Sequence, residues 1–503
     1  MSRRKEVLML LNRLYIFVLL VGISVLSQAQ DTIRITLKDA IIRASQESVD
    51  AVGVRSEYIS SYWQYRTYKS ELLPEVTMTG TLPYYSKSYN PYQSEDGSYK
   101  YVSNDYSQID LGLFITQNIP LTGGKISVES SIQRLEQYGD NSFTRYKSIP
   151  GAITLEQPIF GFNRVGWMRK IEPIKKKESE QKLIADIEDI AHTVVEYYFD
   201  LILGKVNLDI AVQNLANSSK VYSIAEARRT IGQISENELL QLRVSLLNAE
   251  SAFTDAQLSL NARMFQLRSF LGYGEDVVLD AILPEFSTDK VPELYYPKVL
   301  TEALANNSFT LNVQRRMLQA SQGVSQAKAD RWNFTLFASL GVSGQEDKVL
   351  HAYESHNMRS NQIVEVGVKL PILDWGKRKG KVKIAEANRD VVQSRLDKEQ
   401  MDFKQNIFLA VQNFNNQWKQ LKIAEEADKI ARQRYDTSVE AFILGKIDVL
   451  NLNDAQTSKD IARRNYIEQV YALWSYHYQI RGLTLYDFIE GRALTVNYND
   501  YLN

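Results

Sequence analysis

The side chains that could carry acid–base or metal chemistry are few and scattered. Four histidines, His192, His351, His356 and His477, are spread over 503 residues. His351 and His356 fall in a segment that reads as a loop, and nothing pairs them with carboxylates at ligand spacing. The chain has no cysteine, which removes disulfides, thiol catalysis, Cys-based metal sites and an acylated N-terminal cysteine. G-x-S-x-G, H-E-x-x-H and phosphate-binding loops are absent, so neither catalysis nor a cofactor is expected. The densest charge is basic: Lys377-Arg378-Lys379 with Lys381 and Lys383, and Lys175 to Lys177 in the matching part of the first half. With 59 Lys+Arg against 60 Asp+Glu there is no basic excess for nucleic acid. Two readings remain for the lysines, contact with phosphate groups or a solvated helix start, and the second is the commoner use of such runs.

The elements that must hold these groups begin with an export signal. Arg3, Arg4, Lys5 and Arg13 precede a short apolar run, Leu14 to Leu26, and Ser27-Gln28-Ala29 follows the small-x-small rule. Residues 1–29 are expected to be a signal peptide cut between Ala29 and Gln30. A stretched membrane anchor is the alternative, and Arg13 interrupts it. No later run of about 18 apolar residues occurs, and the mean hydropathy is -0.30. The mature chain can therefore enter a membrane only as a β-barrel.

The strongest internal signal is a repeat. Leu155-Glu156-Gln157-Pro158-Ile159-Phe160 returns as Val368-Lys369-Leu370-Pro371-Ile372-Leu373, and Ile231-Gly232-Gln233-Ile234 returns as Leu444-Gly445-Lys446-Ile447, both 213 residues later. Pro to Gly is 74 residues in each copy. Beyond the glycines, Leu239, Leu242, Leu246, Ala249, Phe253, Ala256 and Leu260 step by three and four. Leu452, Ala455, Lys459, Ala462, Tyr466, Gln469 and Leu473 repeat that phase, which is a coiled-coil seam. Ile407, Val411, Phe414, Trp418 and Leu421 form another. From about Lys377 to Leu444 there is no proline, room for roughly 100 Å of helix at about 1.5 Å per residue.

Between the helices the period falls to two. Val76, Met78, Gly80, Leu82 and Tyr84 alternate with threonines, and Ile109 to Ile115, Ile126 to Ile132, Ile153 to Leu155, Phe334 to Val342 and Val364 to Leu370 alternate likewise. Strands with one apolar and one polar face suit a soluble sheet covered by helices or a barrel wall between lipid and water. Export, helices too long to cover a small sheet, and tyrosines at strand ends favour the barrel: Tyr84, Tyr85, Tyr89, Tyr92, Tyr99, Tyr101 and Tyr106. For the middle four of these, a Tyr-rich surface loop is the alternative. Ser86 to Asp105, Tyr138 to Pro150 and Gly344 to Asn361 read as outer loops, and Leu121-Thr122-Gly123-Gly124 as a short periplasmic turn.

The order helix, strands, Q-P-I-F, long helix, G-x-I turn, helix, present twice, resembles the TolC-like outer-membrane efflux protein family over nearly the whole mature chain. The resemblance implies a mainly α chain with a transmembrane β-barrel portion, its long antiparallel coiled-coil helices forming a periplasmic α-barrel. The expected layout is a first repeat over 30–272 (strands about 75–158), a linker over 273–296, a second repeat over 297–490 (strands about 333–370) and a tail over 491–503. It further implies a homotrimer in outer-membrane lipid, a periplasmic adaptor (membrane fusion) protein and an inner-membrane transporter of RND or ABC type. Pro158 and Pro371 would mark strand-to-helix junctions, and Gly232 and Gly445 the tight turns at the periplasmic tip. Acidic residues after the second tip constrict the tunnel in the family; Asp454 matches one such position, while Asn451 departs from the other.

Family protomers usually give two strands per half, whereas four are counted here in the first half and two in the second. Either the barrel is wider, or Leu111 to Leu135 is a hairpin outside it. A periplasmic coiled-coil adaptor is the competing function; it would carry one helical hairpin between β-domains, not two. An envelope enzyme would need a polar cluster that the sequence does not show.

Overall fold

The computed structural model describes residues 32–502 except 140–141, 285–291, 355, 357, 370–372 and 445. Ala29, Gln30, Pro371 and Gly445 therefore lie outside the described residues. The chain divides into two compact units. One is built from residues up to Glu57 with Gln181–Asn307 and Phe403–Asn503, the other from Tyr58–Glu180 with Ser308–Asp402. Each unit draws on both halves of the sequence.

The first half runs β1 (Thr32–Ile35), α1 (Leu37–Glu47), α2 (Val49–Ser70), β2 (Glu75–Gln93), β3 (Tyr99–Asn118), β4 (Lys125–Gln137), β5 (Phe143–Pro158), α3 (Arg164–Thr230), α4 (Glu236–Phe270) and β6 (Val278–Ala281). The second runs α5 (Tyr296–Asn306), α6 (Ser308–Ala329), β7 (Asn333–Glu346), β8 (Met358–Lys369), α7 (Lys377–Ile443), α8 (Val449–Thr484), β9 (Tyr486–Asp487) and β10 (Arg492–Ala493). The repeat is physical: α3 and α7 are both 67 residues long.

Helix ends follow local chemistry. Ser235 caps α4 in a capping box, accepting the Glu238 N–H at 3.2 Å while Glu238 accepts the Ser235 N–H at 2.7 Å. Asp448, at the equivalent place, caps α8 by accepting the Asn451 N–H at 2.8 Å. The seam of the first copy is covered in part: Leu246 is buried, and Leu239, Leu242, Ala249, Phe253, Ala256 and Leu260 are half-buried. In the second copy Leu452, Ala455 and Lys459 are buried, but the stripe then moves to Ile467 and Val470, leaving Tyr466 and Gln469 half-buried. A 3.6-residue helix drifts against a strict heptad, so one step of the stripe shifts. Ile407, Val411, Phe414 and Leu421 are buried as their spacing requires.

In the helical unit α1, α5 and the parallel pair β1–β6 pack on α3, α4, α7 and α8 around a core that includes Val194, Phe199, Leu267, Ile407, Ile467 and Leu473. The Tyr198 hydroxyl sits among the strand ends, 2.8 Å from the Ile35 carbonyl oxygen and 2.6 Å from that of Ile282. Arg481 bridges Glu188 of α3, at 2.8 Å to each carboxylate oxygen, and Asp487 of β9. Among the described residues no helix is long and apolar enough to cross a membrane.

The other unit holds one antiparallel sheet of six strands in the order β2-β3-β4-β5-β7-β8. All six expected strands are in it, so Leu111 to Leu135 is not a hairpin outside the sheet. Its first strand pairs with β2, and its second pairs with β5. The added element is β2–β3. Val49 and Ser308, which start α2 and α6, are 259 residues apart, whereas Arg164 and Lys377, which start α3 and α7, are 213 apart. The 46 extra residues fall between α2 and β4, where β2 and β3 lie. The expected loop Ser86–Asp105 is mostly strand too: β2 and β3 stay paired out to Gln93 and Tyr99.

Candidate membrane-spanning sheet and helix tips

Strand register collects the apolar residues on one face. Val76 faces Ile115, which faces Val128, which faces Ile153, which faces Leu340. Beside this row Leu155 faces Ala338, and Ala338 faces Val364. These side chains are not covered: Met78 and Val364 are each 72% exposed, Ile153 53% and Leu340 56%. Large contiguous apolar surface of this kind needs a covering phase. Along β7 the apolar positions run from Phe334 to Val342, roughly 26 Å at about 3.3 Å per residue. That is the order of the apolar band of an outer-membrane barrel, about 25 Å. The opposite face carries Thr77, Thr116, Ser127, Thr154, Ser339 and Glu365, with Thr116 and Ser127 hydroxyl oxygens 3.4 Å apart.

Aromatic rings border the band at both ends. At the far end Tyr85 lies 6.3 Å from Tyr138, centroid to centroid, on the apolar face, while Tyr84 and Tyr106, 6.0 Å apart, lie on the opposite one. At the helix end Phe334 meets Phe160 at 5.8 Å and stacks with Trp332 at 6.4 Å. Such rows suit a lipid–water boundary. The sequence reading missed the second row, although the aromatic side chains at strand starts were the available signal. Tyr89, Tyr92, Tyr99 and Tyr101 sit on the two-stranded extension of β2 and β3, beyond the last β3–β4 pair, Tyr106 with Gln137.

The helix end is pinned by residues that spacing did not single out. Asn163 caps α3, accepting the Gly166 N–H at 2.7 Å, and its amide donates to the Pro120 and Leu121 carbonyls at 3.0 and 3.1 Å. Leu121–Gly124 is therefore a turn beside the helix starts, as expected. Gly123 has φ +77, and a Cβ there would meet Asn163. Pro158 is the last residue of β5, six residues before the start of α3. Two lysines of the first half are engaged within the fold: Lys175 donates to Gln64 at 2.5 Å, and Lys176 pairs with Glu180 at 3.0 Å, while Lys177 is exposed. In the second run the Arg378 guanidinium donates to the Arg331 carbonyl at 2.5 Å.

The tip of the first helix pair is a Schellman turn: Gln233 N–H donates to the Arg228 carbonyl at 2.9 Å and Gly232 N–H to that of Arg229 at 3.0 Å, with Gly232 at φ +75. The second tip repeats the longer bond, Lys446 N–H to the Ala441 carbonyl at 2.9 Å. Asn451 is exposed in the first turn of α8. Asp454 accepts a hydrogen bond at 2.5 Å from Arg434 of α7, and both side chains are more than half exposed. Sequence spacing did not connect Arg434 with Asp454.

The histidines do not converge. His192 lies 2.9 Å from the Ser475 hydroxyl. His351 and His356 do have a carboxylate, contrary to expectation: Glu354 is 3.9 Å from one and 3.4 Å from the other, brought between them by the turn. No three His, Cys, Asp or Glu among the described residues are arranged to hold a metal ion. His477 is buried beside Trp474, Tyr478 and Arg481; burial first, then the Arg481 charge, push its pKa down to about 4, against the pull of Asp487.

Solved channels share this architecture. The CmeC outer membrane channel of Campylobacter jejuni aligns with a TM-score of 0.63 at 16% identity, over 92% of this chain and 88% of its own. The outer membrane protein VceC of Vibrio cholerae aligns with a TM-score of 0.62 at 15% identity, over 91% and 96%. The cobalt-zinc-cadmium resistance protein CzcC of Cupriavidus metallidurans is 22% identical over 299 residues, 58% of this chain and 67% of that protein. The family model for outer membrane efflux proteins matches residues 125–273 and 299–483. A match over well more than half its length, on this fold, places the chain in the outer membrane efflux protein family, the TolC-like channels of the outer membrane.

Proposed function

We propose that the chain is the exit duct of a tripartite efflux or type I secretion assembly. Three copies close one barrel in outer-membrane lipid, and their helices form a periplasmic tunnel. A periplasmic adaptor and an inner-membrane transporter of RND or ABC type dock on it, and substrates pass through unchanged. The observation that carries this reading is the exposed apolar band across six strands, bordered by aromatic rings at both ends. Lipid covers such a face, and the polar face lines water. Two equal long helical hairpins support the duct over a periplasmic adaptor with one.

At the tunnel entrance three Asp454 carboxylates, each held by its own Arg434, form the constriction, with Asn451 one turn before. Membrane fractionation with cross-linking tests the whole reading. An outer-membrane trimer that conducts ions in a planar bilayer is the expected result; a soluble monomer overturns it.

A further inference from the structure

Among the described residues the sheet has two open edges, β2 and β8. The exposed apolar face runs out to both. On β2, Val76 and Met78 are 63% and 72% exposed; on β8, Val364 and Val366 are 72% and 57% exposed. Edges at that depth present backbone N–H and C=O groups to hydrocarbon, where each unpaired group costs several kcal/mol. Each edge therefore needs a strand beside it. A sheet of six alternating strands has edges that run in opposite directions, so β8 of one copy can receive β2 of the next as an antiparallel neighbour.

The β2–β3 hairpin is the feature that sets this wall apart. It accounts for the 46-residue excess of the first half, and it lies before Lys125, where the family match begins. Without it, β4, β5, β7 and β8 would leave two strands per half. It is not an appendage. β3 is paired with β4 without a break from Tyr106 to Asn118, and Leu113, Ile115, Val76 and Met78 continue the apolar face.

We propose that the hairpin is part of the barrel wall, so that β2 of each copy docks on β8 of the next and the trimer closes with eighteen strands. This rests on the trimeric duct proposed above. With strands about 4.8 Å apart and tilted by about 40°, eighteen strands enclose a backbone cylinder about 36 Å across, against about 24 Å for twelve. The added strands bring threonines to the lumen face, Thr77 and Thr79 of β2 among them. The wide mouth is a consequence of the inserted hairpin alone; the tip turns of α3–α4 and α7–α8 keep the repeat's spacing.

Cysteine cross-linking tests it, helped by a chain with no cysteine of its own. A cysteine at Thr79 is combined in turn with one at Ile363, Glu365 or Gly367, which scans the register. A parallel set replaces Thr79 with Ser127 on β4. Assembled protein in outer-membrane fractions is oxidised and resolved on denaturing gels. Dimer and trimer bands for at least one β2–β8 combination, with none for β4–β8, are the expected result. Bands for β4–β8 without β2–β8 overturn the proposal and mean twelve strands. A trimer by native mass that shows neither set also overturns it, while leaving the duct intact. A monomer by native mass overturns both.

Discussion

Ile153→Arg puts the lipid-facing assignment at risk most directly. Ile153 lies in β5 between Val128 of β4 and Leu340 of β7, on the apolar face, and is half exposed. If that face met water, a surface substitution would cost within about 0.5 kcal/mol. In lipid, an arginine near the bilayer midplane costs roughly 2–4 kcal/mol per site. Three copies in one barrel triple this, to roughly 6–12 kcal/mol for the assembly. The control is one residue away: Thr154 points to the other face, where its hydroxyl lies 3.4 Å from that of Ser339. Both variants are expressed at matched levels, and the trimer in outer-membrane fractions is quantified by gel before and after heating. Ile153→Arg is expected to lose most of the assembled trimer, and Thr154→Arg to keep it. Equal amounts of trimer from both variants would refute the reasoning. Loss in Thr154→Arg alone would mean the faces are assigned the wrong way round.

Four further outcomes follow from the geometry. Arg481→Met strands Glu188 and Asp487, both buried, and should cost about 3–5 kcal/mol; an unchanged melting temperature of the purified trimer would count against the clamp. His477 is neutral in the fold because its pKa is pushed down to about 4. Unfolding raises that pKa to about 6.5, so its contribution is present above pH 6.5 and falls, by about 3 kcal/mol in all, as pH drops toward 4. His477→Gln should flatten the fall relative to the parent over that window in a pH-resolved melt. Gly232→Val meets no atom within 4 Å but must hold φ +75, so backbone strain of about 1–2 kcal/mol is the whole cost. Faster hydrogen exchange confined to the α3–α4 turn is the readout, and exchange identical to the parent's would contradict it. Asp454→Asn removes an exposed ion pair with Arg434, worth at most about 1 kcal/mol. Stability should hold while cation preference in a planar bilayer falls, and unchanged selectivity would remove Asp454 from the constriction.

Much of this was legible without coordinates because it is local or repeated. A helix or strand reveals itself through a period of 3.6 or 2 within a few turns, and the seams at Leu239 to Leu260 and Ile407 to Leu421 were readable for that reason. The 213-residue offset tied two weak patterns into one strong one. It equally located the helix–helix turn at Gly232, since a Schellman turn is closed by residues next to one another. What joins distant segments left no such trace. β5 finds β7 across nearly two hundred residues, and that pairing makes the sheet continuous; the spacing of the helix starts marks β2–β3, not Leu111 to Leu135, as the added hairpin. The Asn163 clamp on the β3–β4 turn, the Arg434–Asp454 pair and the burial of His477 against Arg481 each depend on two chain segments meeting in space. Periodicity says which face of an element is apolar; only the packed structure says what stands opposite it.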